Sequence, residues 1–372
     1  MTRRARIDAI DILRGFVMVL MAIDHASEEL NAGRVFTDSA MFYRSGTPLP
    51  FAQFMTRWIS HLCAPTFVFL AGASLAMSVA ARQKSGDSER AIDKHLAIRG
   101  VLLLLFEVLW MSWIFMKPGK VLFQVLYAIG ASLLFMIVLR RLGDRALLAL
   151  AAIILVGIEL AAFLLGIVRV LDALPSALLL VPGFFANGSF VIAYPALPWL
   201  GIMCLGWVLG RRLVAWQEER RASRNLALAG GAALVVFLVL RGANAFGNMN
   251  LLREEHGSTL VQWLHVSKYP PSLTFVTLEL GIMALLFSAL LRLSSVPRLL
   301  EPLRTIGKTA LFFYLLHIHA LALVAWIFGI EGKLGLGATY AGGVGVVLAL
   351  YPLCFVYGKY KAKNPRGLAQ YV

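Results

Sequence analysis

The chain has 372 residues, 59% hydrophobic and only 15% charged, with a mean hydropathy of +0.77. Soluble domains average about 45–50% apolar and about 25% charged, so this composition excludes a set of soluble domains and predicts one polytopic membrane domain over 1–372. The formal charge of +15, from 35 Lys+Arg against 20 Asp+Glu, reads as basic cytoplasmic loops in contact with a lipid bilayer, with no nucleic-acid partner.

Ten stretches approach the ~20 residues that a helix needs to cross ~30 Å of hydrocarbon: 9–30, 60–81, 97–116, 121–139, 146–168, 193–210, 225–242, 272–292, 308–328 and 335–357. The leading MTRRARIDAID is basic, but Asp8, Asp11 and Arg14 interrupt any clean apolar core and no small-residue cleavage site follows. The first helix therefore reads as uncleaved. Before the sixth stretch, LPSALLLVPGFFANGSF is apolar but broken by Pro175, Pro182 and Gly183. It reads as a half-buried loop or re-entrant turn, an eleventh membrane element if counted. The expected fold is all-α.

With the N-terminus inside, cytoplasmic segments hold 24 basic residues and external segments ten, with Arg14 inside the first helix. The bias alternates at every loop and places both termini in the cytoplasm. Cys63, Cys204 and Cys354 are odd in number and lie in apolar stretches, which argues against a disulfide framework, and no Cys/His cluster has metal-ligand spacing.

The first helix, with its stretch LRGFVMVLMAIDHASEEL, carries the densest set of polar groups. Eleven residues separate Arg14 from His25, which puts them about 20° apart around a helix and ~16 Å apart along it, on a stripe with Met18 and Met21. Either could snorkel to headgroups, yet Asp24, Glu28 and Glu29 crowd the end of the same helix, where the macrodipole disfavours negative charge. Glu29, at i+4, is in position to hydrogen-bond His25, whereas Asp24 is not.

His61, in FMTRWISHLCAPTFVFLAGASLAMS, enters the second helix near the depth of His25. Pro65 can kink that helix, and Gly72, Ala73 and Ser74 form a small packing face. In IGKTALFFYLLHIHALAL, His317 is near mid-depth and shares a face with Phe313 and Tyr314, while His319 points about 200° away. Pro302 stands where a phosphate-binding loop needs glycine, so IGKT is not one. Arg304 and Lys308 nevertheless flank the cytoplasmic start of this helix, a suitable place for phosphates.

Glu107, Glu159 and Glu279 each interrupt an apolar run, and intramembrane carboxylates are costly enough to imply a polar interior. Glu107 and Glu279, with Asp24, are candidate contacts for a polar acceptor. The external loop adds His256, Trp263, His265 and Lys268; Lys268 is a further candidate contact, and Trp263 and Tyr269 fit an interfacial belt. Histidine is the acid/base residue that recurs across helices, which favours proton- or acyl-transfer chemistry over metal or redox chemistry.

RIDAIDILRGFVMVLMAIDH resembles the first helix of the transmembrane acyltransferase superfamily, with its R-G pair and a histidine eleven residues after the arginine. RWISHLCAPTFVFLAGASLA, YPALPWLGIMCLGWVLG, VSKYPPSLTFVTLELG and GKTALFFYLLHIH look like successive blocks of the bacterial DUF1624 group. That group is similar to the catalytic domain of heparan-alpha-glucosaminide N-acetyltransferase. The resemblance implies a multi-pass protein of a bacterial-type inner (plasma) membrane that uses acetyl-CoA or another acyl-CoA as cytoplasmic donor. A pantetheine arm would enter the bundle, and an amino-sugar or glycan acceptor would arrive from the far side. DHAS places His25 at the family's catalytic histidine, as general base or acyl acceptor. Glu29, His61 and His317 are its candidate partners, and Arg14, Arg304 and Lys308 are the candidate donor contacts. The long luminal domain of the lysosomal enzyme has no counterpart in this sequence, and a homodimer is left open. The alternative reading is a proton-coupled transporter or flippase of a sugar-type substrate, with the glutamates and histidines as a relay. The lack of an internal repeat weighs against it.

Overall fold

The computed structural model describes residues 3–39, 43, 47–116, 119–165, 173–215, 219–243, 259–293, 296–364, 367, 369 and 371. His256 and the end of the fifth expected stretch, 166–168, lie outside the described residues. Helix dominates because a segment in hydrocarbon must satisfy its own backbone polar groups.

Each of the ten expected stretches contains a helix. In chain order these are α1 (Arg3–Leu30), then α2 (Phe51–Trp58) running through a 3₁₀ turn (Ile59–Leu62) into α3 (Cys63–Lys84). Next come α4 (Glu89–Phe106), a π-helical turn (Glu107–Met111) and α5 (Ser112–Met116). After these, α6 (Val125–Leu139) and α7 (Asp144–Leu165) precede a short α8 (Leu174–Leu179). The second half comprises α9 (Ala196–Ala215), α10 (Glu219–Ala243), the short α11 (Thr259–Leu264) and α12 (Leu273–Leu291). It ends with α13 (Glu301–Lys308), α14 (Ala310–Phe328) and α15 (Leu336–Lys363).

Among the described residues, seven helical stretches are long and apolar enough to cross a membrane. The surface is inverted relative to a soluble protein. Ile153, Leu228, Val239, Trp326, Phe328 and Leu348 are exposed, while Glu107, Glu279 and His317 are buried. The chain is a polytopic helical membrane protein.

Beside its helices the all-α bundle carries one small sheet. The stretch read as a re-entrant turn forms α8 and a hairpin of β2 (Gly183–Phe185) and β3 (Phe190–Ile192). β3 also pairs in parallel with β1 (Val121–Phe123), giving the order β1-β3-β2. Three-residue apolar strands carry too little periodicity to be told from a loop. The kink expected at Pro65 lies just before it: Pro65 has no N–H to donate one turn back, and the chain tightens into 3₁₀ geometry at 59–62.

Backbones meet most closely where glycines permit it. A Cβ on Gly15 would collide with the Leu303 carbonyl, and one on Gly307 with the Asp11 carbonyl, so α13 lies directly on α1. Gly72 and Gly206 do the same between α3 and α9.

Candidate active site

α1 runs through the middle of the site, packed against α3, α12, α13, α14 and α15. Its surroundings pull its two ionisable ends into different environments. Arg14 donates through Nη2 to the Leu70 carbonyl at 3.1 Å and to Ser74 Oγ at 2.8 Å, with Asp11 Oδ1 3.8 Å from Nη1. Ser74, expected only to let helices approach, thus also receives the arginine. Further along the stripe, His25 meets His317 of α14. His25 Nδ1 lies 2.7 Å from His317 Nε2, and the rings are nearly parallel, 14° apart, with centroids 4.9 Å apart. His317 Nδ1 donates to the carbonyls of Tyr314 at 2.8 Å and Phe313 at 3.1 Å. Phe115 covers His25 edge-on at 5.5 Å.

Beside His25 stands a ladder of alternating charges. Glu28 Oε2 is 3.5 Å from Arg34 Nη2, and Arg34 Nη1 donates to Asp24 Oδ1 at 3.2 Å and to its carbonyl. Arg57 donates through Nη1 to Asp24 Oδ2 at 2.5 Å and through Nη2 to Asp38 Oδ2 at 2.7 Å. His61 Nε2 ends the ladder, 3.2 Å from Asp38 Oδ2. Asp38 lies in the connection after α1. Burial pushes its carboxyl up, but the Arg57 guanidinium and the His61 hydrogen bond outweigh this and hold it well below the usual carboxylate range. Each buried charge has an opposite partner, the arrangement that makes such burial tolerable.

Two cavities open around α1. The first, of about 270 Å³, is lined by His25, Asp24, Arg34, Arg57, Lys268 and Tyr269, and roofed by Leu122, Phe184 and Val191 of the small sheet. The second, of about 180 Å³, carries Arg14, Arg99, Lys308 and Lys361. Phe67, Val125 and Tyr314 line both cavities. Arg14 of α1 and Lys361 near the end of α15 thus line one cavity. The Tyr314 hydroxyl is buried and has no hydrogen-bond partner among the described residues.

The structure sorts the expected site residues. His25, Asp24 and Lys268 line the first cavity, and Arg14 and Lys308 line the second. His317 reaches the site through His25. Glu29 does not: its side chain is half-buried, it lines neither cavity, and among the described residues the hydrogen-bond partner of the His25 ring is His317. His61 lines neither cavity, because it sits behind Asp38 and Arg57. Arg304 also lies outside, held by Glu301 Oε1 at 2.7 Å and Asp8 Oδ1 at 3.1 Å.

Glu107 lines neither cavity; its Oε2 accepts from the Tyr127 N–H at 2.8 Å and caps α6. Glu159 likewise accepts from the Leu273 N–H and caps α12. Glu279, buried on α12, also lines neither cavity. Sequence reasoning missed Arg99, Lys361, Arg57 and Tyr314. Arg57 stands four residues before His61, where i,i+4 spacing could have been used, and Tyr314 shares the face of His317, whereas Arg99 and Lys361 converge only through helix packing. Among the described residues no group of His, Cys, Asp and Glu is placed to hold a metal ion.

A helical membrane bundle with a buried histidine pair, one ring of which lines a cavity that shares Phe67, Val125 and Tyr314 with a basic cavity, defines a class of intramembrane site rather than a soluble one. Within that class the chain belongs to the heparan-alpha-glucosaminide N-acetyltransferase catalytic family, whose model matches residues 6–241. A second model, for a protein family of unknown function named DUF418, matches residues 209–365. The first match covers α1 to α9 and nearly all of α10, and so includes Arg14, His25, Arg57 and Arg99. Comparison with curated proteins gives no match.

Proposed function

We propose that the protein transfers an acetyl or other acyl group from acyl-CoA, held at the basic cavity, to an amino-sugar or glycan acceptor in the His25 cavity. The observation that carries this reading is the pair of cavities that share Phe67, Val125 and Tyr314. One offers four cations and the other a histidine beside Asp24 and Glu28, whose charges Arg34, Arg57 and Lys268 offset, so an anionic donor and a polar acceptor can approach one point from two cavities. The positive-inside bias supports a cytoplasmic position for the basic cavity, where acyl-CoA is made.

The residues fit the donor's chemistry. Arg14 and Arg99 offer guanidinium forks and Lys308 and Lys361 point charges for phosphate groups. A cavity of about 180 Å³ takes the narrow arm of such a donor rather than its nucleotide, which would stay at the mouth. On the other side Asp24 and Glu28 are hydrogen-bond acceptors for a sugar, and Phe36, Phe184 and Tyr269 supply flat apolar surface.

In this mechanism His25 accepts the proton that the acceptor's amine or hydroxyl releases as its bond to the acyl carbon forms and the carbon–sulfur bond breaks. His25 then returns that proton to the departing sulfur. Tyr314 donates its hydroxyl to the acyl oxygen while negative charge collects there. Alignment of an already activated thioester supplies the rest of the acceleration. A relay through the intramembrane glutamates, which a transporter would need, gains no support, since Glu107 and Glu159 act as helix caps.

The test is release of free CoA thiol from acetyl-CoA by the purified full-length protein, with glucosamine and related amino sugars as acceptors. Acceptor-dependent release that disappears in His25→Ala supports the assignment. Undiminished turnover in a folded His25→Ala protein overturns it.

A further inference from the structure

We propose that His317 is a positioning residue that fixes His25 in one tautomer, with the proton on Nδ1 and the lone pair on Nε2. The proposal rests on the acyl-transfer reading for its use, but not for its geometry.

The argument starts from backbone carbonyls, which only accept. His317 Nδ1 faces two of them, Tyr314 O at 2.8 Å and Phe313 O at 3.1 Å, so Nδ1 carries a proton. A neutral imidazole has one N–H, and His317 Nε2 is therefore an acceptor. It lies 2.7 Å from His25 Nδ1, which must then be the donor. The remaining assignment, an imidazolium at His317, places a positive charge on a fully buried ring. Among the described residues neither ring has a carboxylate hydrogen-bond partner, and Asp24, next to His25 in sequence, is committed to Arg34 and Arg57. The neutral chain of donors thus runs from His25 to His317 to the backbone of α14. His25 Nε2 has no partner among the described residues, and the ring lines the first cavity.

The consequence is chemical. A histidine that could exchange tautomers would spend part of its time presenting an N–H to the cavity, where it cannot accept a proton. The carbonyls anchor the chain of hydrogen bonds because a turn of α14 leaves them in place: Phe313 O and Tyr314 O are at i−4 and i−3 from His317. In serine proteases a buried aspartate holds the catalytic histidine's tautomer; here a neutral ring does so, and no charge is added to the interior.

The test uses full-length protein with ¹⁵N-labelled histidine in detergent micelles or nanodiscs, read by two-bond proton–nitrogen correlation near neutral pH. The His25 signals are assigned by their disappearance in His25→Gln. The expected wild-type pattern has His25 Nδ1 protonated and Nε2 unprotonated. His317→Leu is expected to return His25 to a mixture of tautomers and to lower kcat by about 10²-fold or more, with the KM for acyl-CoA little changed. His317→Gln, whose amide oxygen still accepts, is expected to keep the tautomer and recover part of kcat. A wild-type His25 protonated on Nε2 overturns the proposal, as does an unchanged tautomer in His317→Leu. Because the wild-type pattern is read without turnover, its failure is distinguishable from failure of the acyl-transfer reading.

Discussion

Tyr314 lies one helical turn before His317 on α14, with ring centroids 5.7 Å apart, and it lines both cavities. The same residue gives its carbonyl to His317 and keeps a hydroxyl with no partner among the described residues at the boundary between the proposed donor and acceptor. A donor that acts only on developing charge changes kcat rather than binding. Tyr314→Phe is therefore expected to lower kcat by about 10²-fold and to leave both KM values near wild type, as measured by steady-state thiol release.

The basic cavity predicts a donor-side phenotype. Lys308→Ala removes one of four cations facing the proposed phosphates, and a charged hydrogen bond of this kind contributes about 1.5–3 kcal/mol. The expected result is a rise of roughly tenfold or more in KM for acetyl-CoA. For an acetylated pantetheine lacking the nucleotide the rise should be small. Arg304→Ala, outside the cavity and paired with Glu301 and Asp8, should leave the same parameter unchanged.

Arg57 holds Asp24 and Asp38 together. Arg57→Met leaves Asp24 with Arg34 and Asp38 with His61 as side-chain partners among the described residues, and breaking a buried ion pair costs about 3–5 kcal/mol. The variant should unfold at markedly lower temperature in detergent. Arg57→Lys should recover only part of the loss, since an ammonium lacks the fork that reaches two carboxylates.

Asp38 gives the ladder a pH signature. Its folded pKa lies well below its ordinary value of 3.8, so folding favours the ionised form. Its contribution to stability is complete above the ordinary value and is lost as pH falls through the folded one. The gap in unfolding temperature between wild type and Asp38→Asn should therefore be constant near neutrality. It should narrow only below about pH 4. A gap that widens with acid would contradict the assigned direction.

Much of the bundle was legible in the sequence because apolar length reports directly on the membrane. The Arg14–His25 stripe was legible because it needs one helix and its period. The histidine pair was not, since His25 and His317 are 292 residues apart and only the crossing of α1 and α14 unites them. Nor did sequence tell a capping glutamate from a ligand-binding one. Glu107 and Glu279 look alike as charges in apolar runs, yet Glu107 closes the end of another helix. The basic cavity was half visible: Arg14 and Lys308 stand near helix starts, whereas Lys361 lies in a tail that reads as a topology signal.

The crossing of α1 and α13 has a consequence for length selection. Gly15 and Gly307 pin the two helices at two backbone points, so α13 can neither slide nor roll on α1 without a collision. Lys308 follows one pin and Arg14 precedes the other, while His25 stands ~16 Å further along the same rigid rod. The helix thus works as a ruler. On the proposed acyl-transfer reading, it would set how far a donor gripped at its charged end must extend to bring a reactive group to the imidazole, and it would discriminate among donors by reach before any chemistry begins.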